Sequence, residues 1–204
     1  MAAQSRKTDI EGAAAVVDDL LNQLKYAEAD KRLDPLLEQA RGSRTDVFPL
    51  IRLGEKYKDV GKPQQAERIL RLVMAELEAA GAEGAEYIRE PIYLMGEALT
   101  AQKRYDEAEP WYKRYAGIYE DAYKKSGEPP GQVDANLRAA LGFLAGFYMT
   151  AGRPADAEPI YKRLLAAGEA AVGADDPALQ FPIIDLAEAV RNQKRYPEAE
   201  ALYQ

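Results

Sequence analysis

Glu55, Glu97 and Glu188 occupy the same place in three copies of a recurring segment, and Gly146 holds that place in another copy. Carboxylates repeated in register are either solvated side chains on helices or a row of fixed negative charge that selects cationic partners. Chemistry beyond binding is hard to assemble around them. The chain has no histidine, the commonest general acid–base, and no cysteine for covalent catalysis. Its serines, Ser5, Ser43 and Ser126, fall in a terminus or in joints between segments. Paired carboxylates can hydrolyse glycosides, but nothing sets one of these acids in the apolar pocket that would raise its pKa. No glycine loop of the phosphate-cradling kind is present. Soft-metal and imidazole ligation are unavailable without cysteine and histidine, so no metal or other cofactor and no enzymatic activity are expected.

Other side chains invite a choice between packing and binding. Gly142 and Gly146 lie four apart on one helix face, where each glycine costs about 1 kcal/mol relative to alanine. They either let a neighbouring helix pack closely or form a floor that a ligand can approach. Tyr112, Tyr115, Tyr119 and Tyr123 form a stripe at helical spacing, which reads as packing with a wet hydroxyl edge. Phe48-Pro49, Glu90-Pro91 and Phe181-Pro182 recur at one place, with Ala140 standing there in the remaining copy. Proline suits the first turn of a helix, where its missing N–H costs nothing; the other reading is a bent chain entry shaping a groove edge.

The elements that position these residues are set by a repeat. Tyr105-Asp106-Glu107-Ala108-Glu109-Pro110-Trp111-Tyr112 returns as Pro154-Ala155-Asp156-Ala157-Glu158-Pro159-Ile160-Tyr161 and as Tyr196-Pro197-Glu198-Ala199-Glu200-Ala201-Leu202-Tyr203. Weaker copies surround Ala29 and Ala66, so the central alanines are spaced by 37, 42, 49 and 42 residues. A period near 40 residues predicts stacked helix pairs. A preceding helix carries Gly54, Gly96, Ala145 and Ala187 at a second fixed place, small residues that allow close helix contact. Gly61-Lys62-Pro63 and Gly152-Arg153-Pro154 read as turns, and Lys103-Arg104 and Lys194-Arg195 put cations at the same joint. Gly81 reads as a helix stop, and residues 126–132 as a loop that accounts for the long spacing of 49.

This pattern resembles the tetratricopeptide repeat, most of all the long form found in kinesin light chain. The resemblance covers about residues 46–204. Gly173-Ala174-Asp175-Asp176-Pro177 is similar to that family's Gly-x-Asp-His-Pro linker, with Asp176 in place of histidine. It implies an all-α, right-handed α-solenoid of antiparallel helix pairs. The expected organisation is a flexible N-terminus at 1–8 and a degenerate helix pair at 9–45. Repeats then follow at about 46–83, 84–131, 132–176 and 177–204, the last truncated.

In that family the first helix of each pair lines a concave face. The resemblance therefore implies a groove lined by Phe48, Ile51, Glu55 and Lys58, then Glu90, Tyr93, Glu97 and Thr100. Ala139, Gly142, Gly146 and Met149 follow, and then Phe181, Ile184, Glu188 and Arg191. Acids beside apolar residues suit a basic, partly apolar peptide, although Lys58 and Arg191 work against a uniformly acidic surface. Where the family often has asparagine this chain has Arg52, Leu94, Phe143 and Asp185, so kinesin cargo recognition does not carry over.

The implied function is a non-enzymatic scaffold for a protein or peptide partner. A self-assembly module and the regulatory array of a larger protein are the alternatives. Net charge −7 argues against nucleic acid, and no apolar run is long enough for membrane insertion. The opening residues lack the apolar stretch of an export signal, which points to the cytoplasm; the alternative is a periplasmic protein whose cleaved signal left Ala2-Ala3-Gln4. The last segment lacks a polar capping helix, which suggests either a longer parent protein or a homodimer through that end.

Overall fold

The structure is a computed structural model that describes residues 2–43, 47–127 and 133–204. Every regular element among them is a helix. The chain divides into two compact units, Met1–Trp111 and Tyr112–Gln204. The first contains α1 (Ala2–Asn22), α2 (Tyr26–Ala40), α3 (Phe48–Asp59), α4 (Pro63–Ala79), the short α5 (Ala82–Ala85) and α6 (Arg89–Ala101), and it ends within α7 (Tyr105–Ser126). The second contains the rest of α7, then α8 (Ala135–Thr150), α9 (Pro154–Val172), a 3-10 turn (Pro177–Leu179), α10 (Gln180–Asn192) and α11 (Tyr196–Tyr203). Within the first unit α1 packs on α2 and α3, and α4 on α3 and α6; within the second, α9 packs on α8 and α10, and α10 on α11.

Among the described residues one kind of turn makes each hairpin. Leu24, Gly61, Lys103, Gly152 and Lys194 hold positive φ, between 59° and 74°. The N–H of the next residue reaches back to the carbonyl five positions earlier, as Lys62 does to Tyr57 at 2.8 Å and Arg104 to Leu99 at 3.0 Å. This closes the helix with a Schellman turn. Glycine takes the left-handed conformation freely, whereas Leu24, Lys103 and Lys194 hold it at a cost of about 1–2 kcal/mol each. Lys103 and Lys194 are thus turn residues rather than helix-end cations. The residue after them is always a cation: Lys25, Lys62, Arg104, Arg153 or Arg195.

The register alanines are core. Ala66, Ala108 and Ala157 are fully buried and Ala199 nearly so, as are Ala145 and Ala187 on the preceding helices. At Gly54 an added Cβ would meet Leu70 at 3.1 Å, which is the close approach of α3 to α4 that the small residue permits. Leu53, Tyr57, Ile69 and Leu70 fill the space around that contact, each contributing about 1.5–3 kcal/mol through burial. Pro49, Pro91 and Pro182 lie in the first turns of α3, α6 and α10, the ordinary place for proline.

The structure adds detail that the sequence reading lacked. Gly81 stops α4 as expected, and residues 82–85 add the short helix α5 after it. A Cβ on Gly84 would lie 1.9 Å from the Leu77 carbonyl oxygen, so glycine is required for α5 to fold back there. Helix α1 starts at Ala2, inside the stretch expected to be a flexible lead-in. Of the expected loop at 126–132, Ser126 ends α7 and Gly127 turns the chain; residues 128–132 lie outside the described residues.

Candidate functional site

In the first unit the candidate groove residues meet different fates. Ile51 is only 3% exposed and belongs to the core, so it is withdrawn from any ligand. Phe48 packs edge-on against Tyr87, with ring centroids 4.5 Å apart. Glu55 is exposed and, with Phe48, Arg52 and Lys56, lines an open polar depression of about 490 Å³ between α1 and α3. Glu90 is exposed at the start of α6. Tyr93 and Glu97 form a cluster: the Tyr93 hydroxyl donates to Glu97 Oε1 at 2.8 Å, and Lys58 Nζ donates to Glu97 Oε2 at 2.8 Å. Lys58 also pairs with Asp59 at 3.2 Å. Burial pushes the Lys58 pKa down, but the bonds to Glu97 and Asp59 outweigh it and hold it above its ordinary value.

In the second unit the same register is open. A Cβ on Gly142 or on Gly146 would meet nothing within 4 Å, so these glycines are not there to admit a neighbouring helix. Met149 and Ile184 are half-buried, and Phe181 is 75% exposed. Ile184 lines a shallow depression of about 500 Å³ with Ile183, Leu202 and Tyr203. Glu188 is exposed, and its neighbour Arg191 comes within 3.7 Å. Gly142 faces a cavity of about 240 Å³ shared by α8, α9 and α10. Tyr161 and Asp185 line that cavity too. Burial raises the Tyr161 hydroxyl to about 12, helped by the Asp185 and Glu188 carboxylates. Partial desolvation and then Glu188 raise Asp185, which is nevertheless exposed at the mouth of the cavity. The tyrosine stripe is mostly packing: Tyr112 stacks on Phe147 at 4.8 Å, and Tyr115 lies 6.2 Å from Phe143 and 5.1 Å from Tyr119.

A second recurring constellation escaped the sequence reading. Glu67, next to register Ala66, accepts from Gln102 Nε2 at 2.9 Å and Arg104 Nη1 at 2.5 Å, both in the turn of the next hairpin. Glu158, next to Ala157, accepts from Gln193 at 2.7 Å and Arg195 at 2.6 Å in the same way. Asp30, next to Ala29, meets Lys62 at 2.8 Å. The acid of one hairpin therefore clasps the turn of the following one. Hydrogen bonds from Lys162, Gln193 and Arg195 hold the Glu158 pKa down to about 2 despite burial. Glu67 is also lowered: burial works against ionisation, and bonds from Gln102, Arg71 and Arg104 overcome it. The signal was present in the Ala-Glu pairs and in Gln102-Lys103-Arg104-Tyr105 recurring as Gln193-Lys194-Arg195-Tyr196. In the linker, Asp176 caps the 3-10 turn by accepting from the Ala178 N–H at 2.8 Å. Among the described residues no group of acids could hold a metal ion, and no helix is long and apolar enough to cross a membrane.

Repeated hairpins joined by one turn and one acid–cation clasp define an all-α helical repeat. The family model for the tetratricopeptide repeat matches residues 136–204, which carry these repeats. The fold is similar to the TPR-like repeats of a Podosopora anserina protein assigned as a kinesin light chain, with TM-score 0.70 and 16% identity over 96% of this chain and 92% of that one. It is also similar to BtubC (BKLC) from P. vanneervenii, with TM-score 0.63 and 17% identity over 98% of this chain and 86% of that one. At such identities the likeness establishes the fold. No curated protein matches the sequence.

Proposed function

We propose that this chain is a non-enzymatic scaffold that binds a peptide or protein segment along the first helices of its hairpins, with a preference for basic, partly apolar segments. The observation that carries this reading is the open face of α8 at Gly142 and Gly146, beside the Asp185 carboxylate, which among the described residues has no ion-pair or hydrogen-bond partner. Glycine pairs inside a helix cost stability, and no packed neighbour accounts for these two. The similar structures share a fold widely suited to holding partners, which supports the scaffold class without naming the partner. Immobilised protein exposed to basic and acidic peptide pools tests the reading. Basic peptides should be retained and released by salt, because exposed charge attraction is screened. Equal retention of the two pools would remove the electrostatic preference.

A second reading, self-association, is favoured by one observation. Glu200 stands beside Ala199 as Glu67 and Glu158 stand beside their alanines, and Lys25 holds the turn position of Arg104 and Arg195. Among the described residues neither makes the ion pair that Glu67 and Glu158 make. A Glu200–Lys25 clasp between copies would join hairpins as they are joined within a chain. Sedimentation velocity over a range of concentrations tests it: mass should rise with concentration and fall in Glu200→Lys, then recover when Glu200→Lys is mixed with Lys25→Glu. A mass independent of concentration would exclude it.

A further inference from the structure

The cavity of the second unit has a built shape. Its floor is Gly142, where an added Cβ meets nothing within 4 Å. Gly168 on α9 is more closely covered: a Cβ there would lie 2.7 Å from Leu179 Cδ2, the end of a side chain of the 3-10 turn that forms one wall. Leu179 is itself buried. Leu164, Ala171 and Pro182 complete an apolar lining, and Val172, 49% exposed, continues it outward to the surface. At about 240 Å³ the space is smaller than the roughly 300–1,000 Å³ typical of whole-ligand pockets. It fits one bulky side chain better than a complete small molecule.

The polar groups at this cavity are few. Tyr161 supplies a hydroxyl, Asp185 a carboxylate and Arg138 a guanidinium. Partial desolvation and Glu188 both disfavour charge on the exposed Asp185, and no cation among the described residues counters them. Glu188 has Arg191 beside it, 3.7 Å away, which leaves Asp185 as the acid at this cavity without a partner among the described residues. An arriving cation would relieve that carboxylate. Arg138 carries donors only, so it suits an acceptor, which along a peptide backbone is a carbonyl oxygen.

Taking the peptide-binding reading above as its basis, we propose that this cavity is an anchor pocket for one bulky apolar side chain, leucine or phenylalanine, of a partner peptide whose adjacent residue is arginine or lysine. Asp185 receives the basic residue, and Arg138 donates to the carbonyls of the bound segment. The apolar walls supply affinity, and the lone carboxylate selects which apolar side chain enters by the charge beside it.

Labelled hexapeptides with a central Arg-Leu, Arg-Phe, Arg-Ala or Glu-Leu pair, titrated onto the full chain by fluorescence anisotropy, test this. Arg-Leu and Arg-Phe should bind, and Arg-Ala and Glu-Leu should each bind about tenfold or more weakly, a difference set by one apolar or one charged contact. Gly142→Leu should fill the cavity and weaken Arg-Leu about tenfold, while its helical circular dichroism stays that of the wild type. Asp185→Asn, which leaves the lining intact, should erase the difference between Arg-Leu and Glu-Leu. If Arg-Leu binds both variants as it binds wild type, the anchor pocket is overturned and the wider peptide-binding reading survives. Absence of saturable binding by all four peptides overturns both.

Discussion

The two units share one frame and differ on the face that the frame presents. Each has Schellman turns, a buried register alanine, and a glutamate beside that alanine gripping the next turn. At the candidate groove positions the first unit places Lys58, Tyr93 and Glu97, which bond to one another. The matching places on α8 in the second unit are Met149, Gly142 and Gly146, and these leave space. That cluster of the first unit is satisfied internally, whereas the second unit has an apolar cavity and an acid without a partner among the described residues. A repeat therefore fixes what joins hairpins and leaves free what faces a ligand, so a search for binding should start where the register is kept but its side chains are not.

The shared frame breaks most severely at its alanines. Ala108→Leu and Ala157→Leu should each cost about 1–3 kcal/mol, because a larger side chain overpacks a fully buried contact. Chemical denaturation reads this as a lower midpoint; an unchanged midpoint in either unit would mean that the register does not set the packing there.

The clasp comes next. Glu67→Gln and Glu158→Gln should each cost about 1.5–3 kcal/mol, the range for hydrogen bonds to a charged group. The pH dependence has a definite sign. Glu158 is held at about 2 in the folded protein, below an unfolded glutamate near about 4.3. Its stabilisation is therefore complete above the unfolded value and is lost as pH falls from there toward about 2. Glu67 is shifted in the same direction. In Glu158→Gln the loss of stability on acidification should be shallower over that window; an identical acid profile would show that the clasp does not hold the charge.

The fold was legible because its determinants are local and repeated. Alanine at fixed spacing, glycine before proline, and helical periodicity each report a short-range requirement, and the structure places them as helices, turns and core. The face was less legible. Ile51 carries the same register as Ile184, yet one is core and the other half-buried, because exposure depends on which neighbour covers the residue and not on its own helix. Glu97 read as a free member of an acidic row, but Lys58 comes from a helix 39 residues earlier to neutralise it. Asp185 stood out in the sequence only as a departure from the family's asparagine. Its cavity is formed by helices and a 3-10 turn that meet only in three dimensions.

Glycine substitutions sharpen the comparison further. Gly142→Ala and Gly146→Ala should each raise stability by up to about 1 kcal/mol, since helix propensity improves and the Cβ enters open space. Gly54→Ala should gain less, because its Cβ meets Leu70 at 3.1 Å. Thermal melts of the three variants compare them directly, and equal gains would contradict the assigned difference in packing. The smallest expected effect is at Glu97. Glu97→Gln weakens a partly exposed pair with Lys58 and should cost less than about 1 kcal/mol, with peptide binding unchanged. Weaker peptide binding in that variant would mean that the first unit's face takes part after all.

The central claim is that the open face of the second unit receives the partner while the closed cluster of the first does not. Amide chemical-shift mapping of the intact chain, titrated with the Arg-Leu hexapeptide at low and high salt, tests this most directly. Shifts should concentrate at Gly142, Gly146, Tyr161 and Asp185 and shrink as salt rises. Shifts centred on Tyr93 and Glu97, or a pattern at Gly142 and Asp185 that does not respond to the peptide, would contradict it.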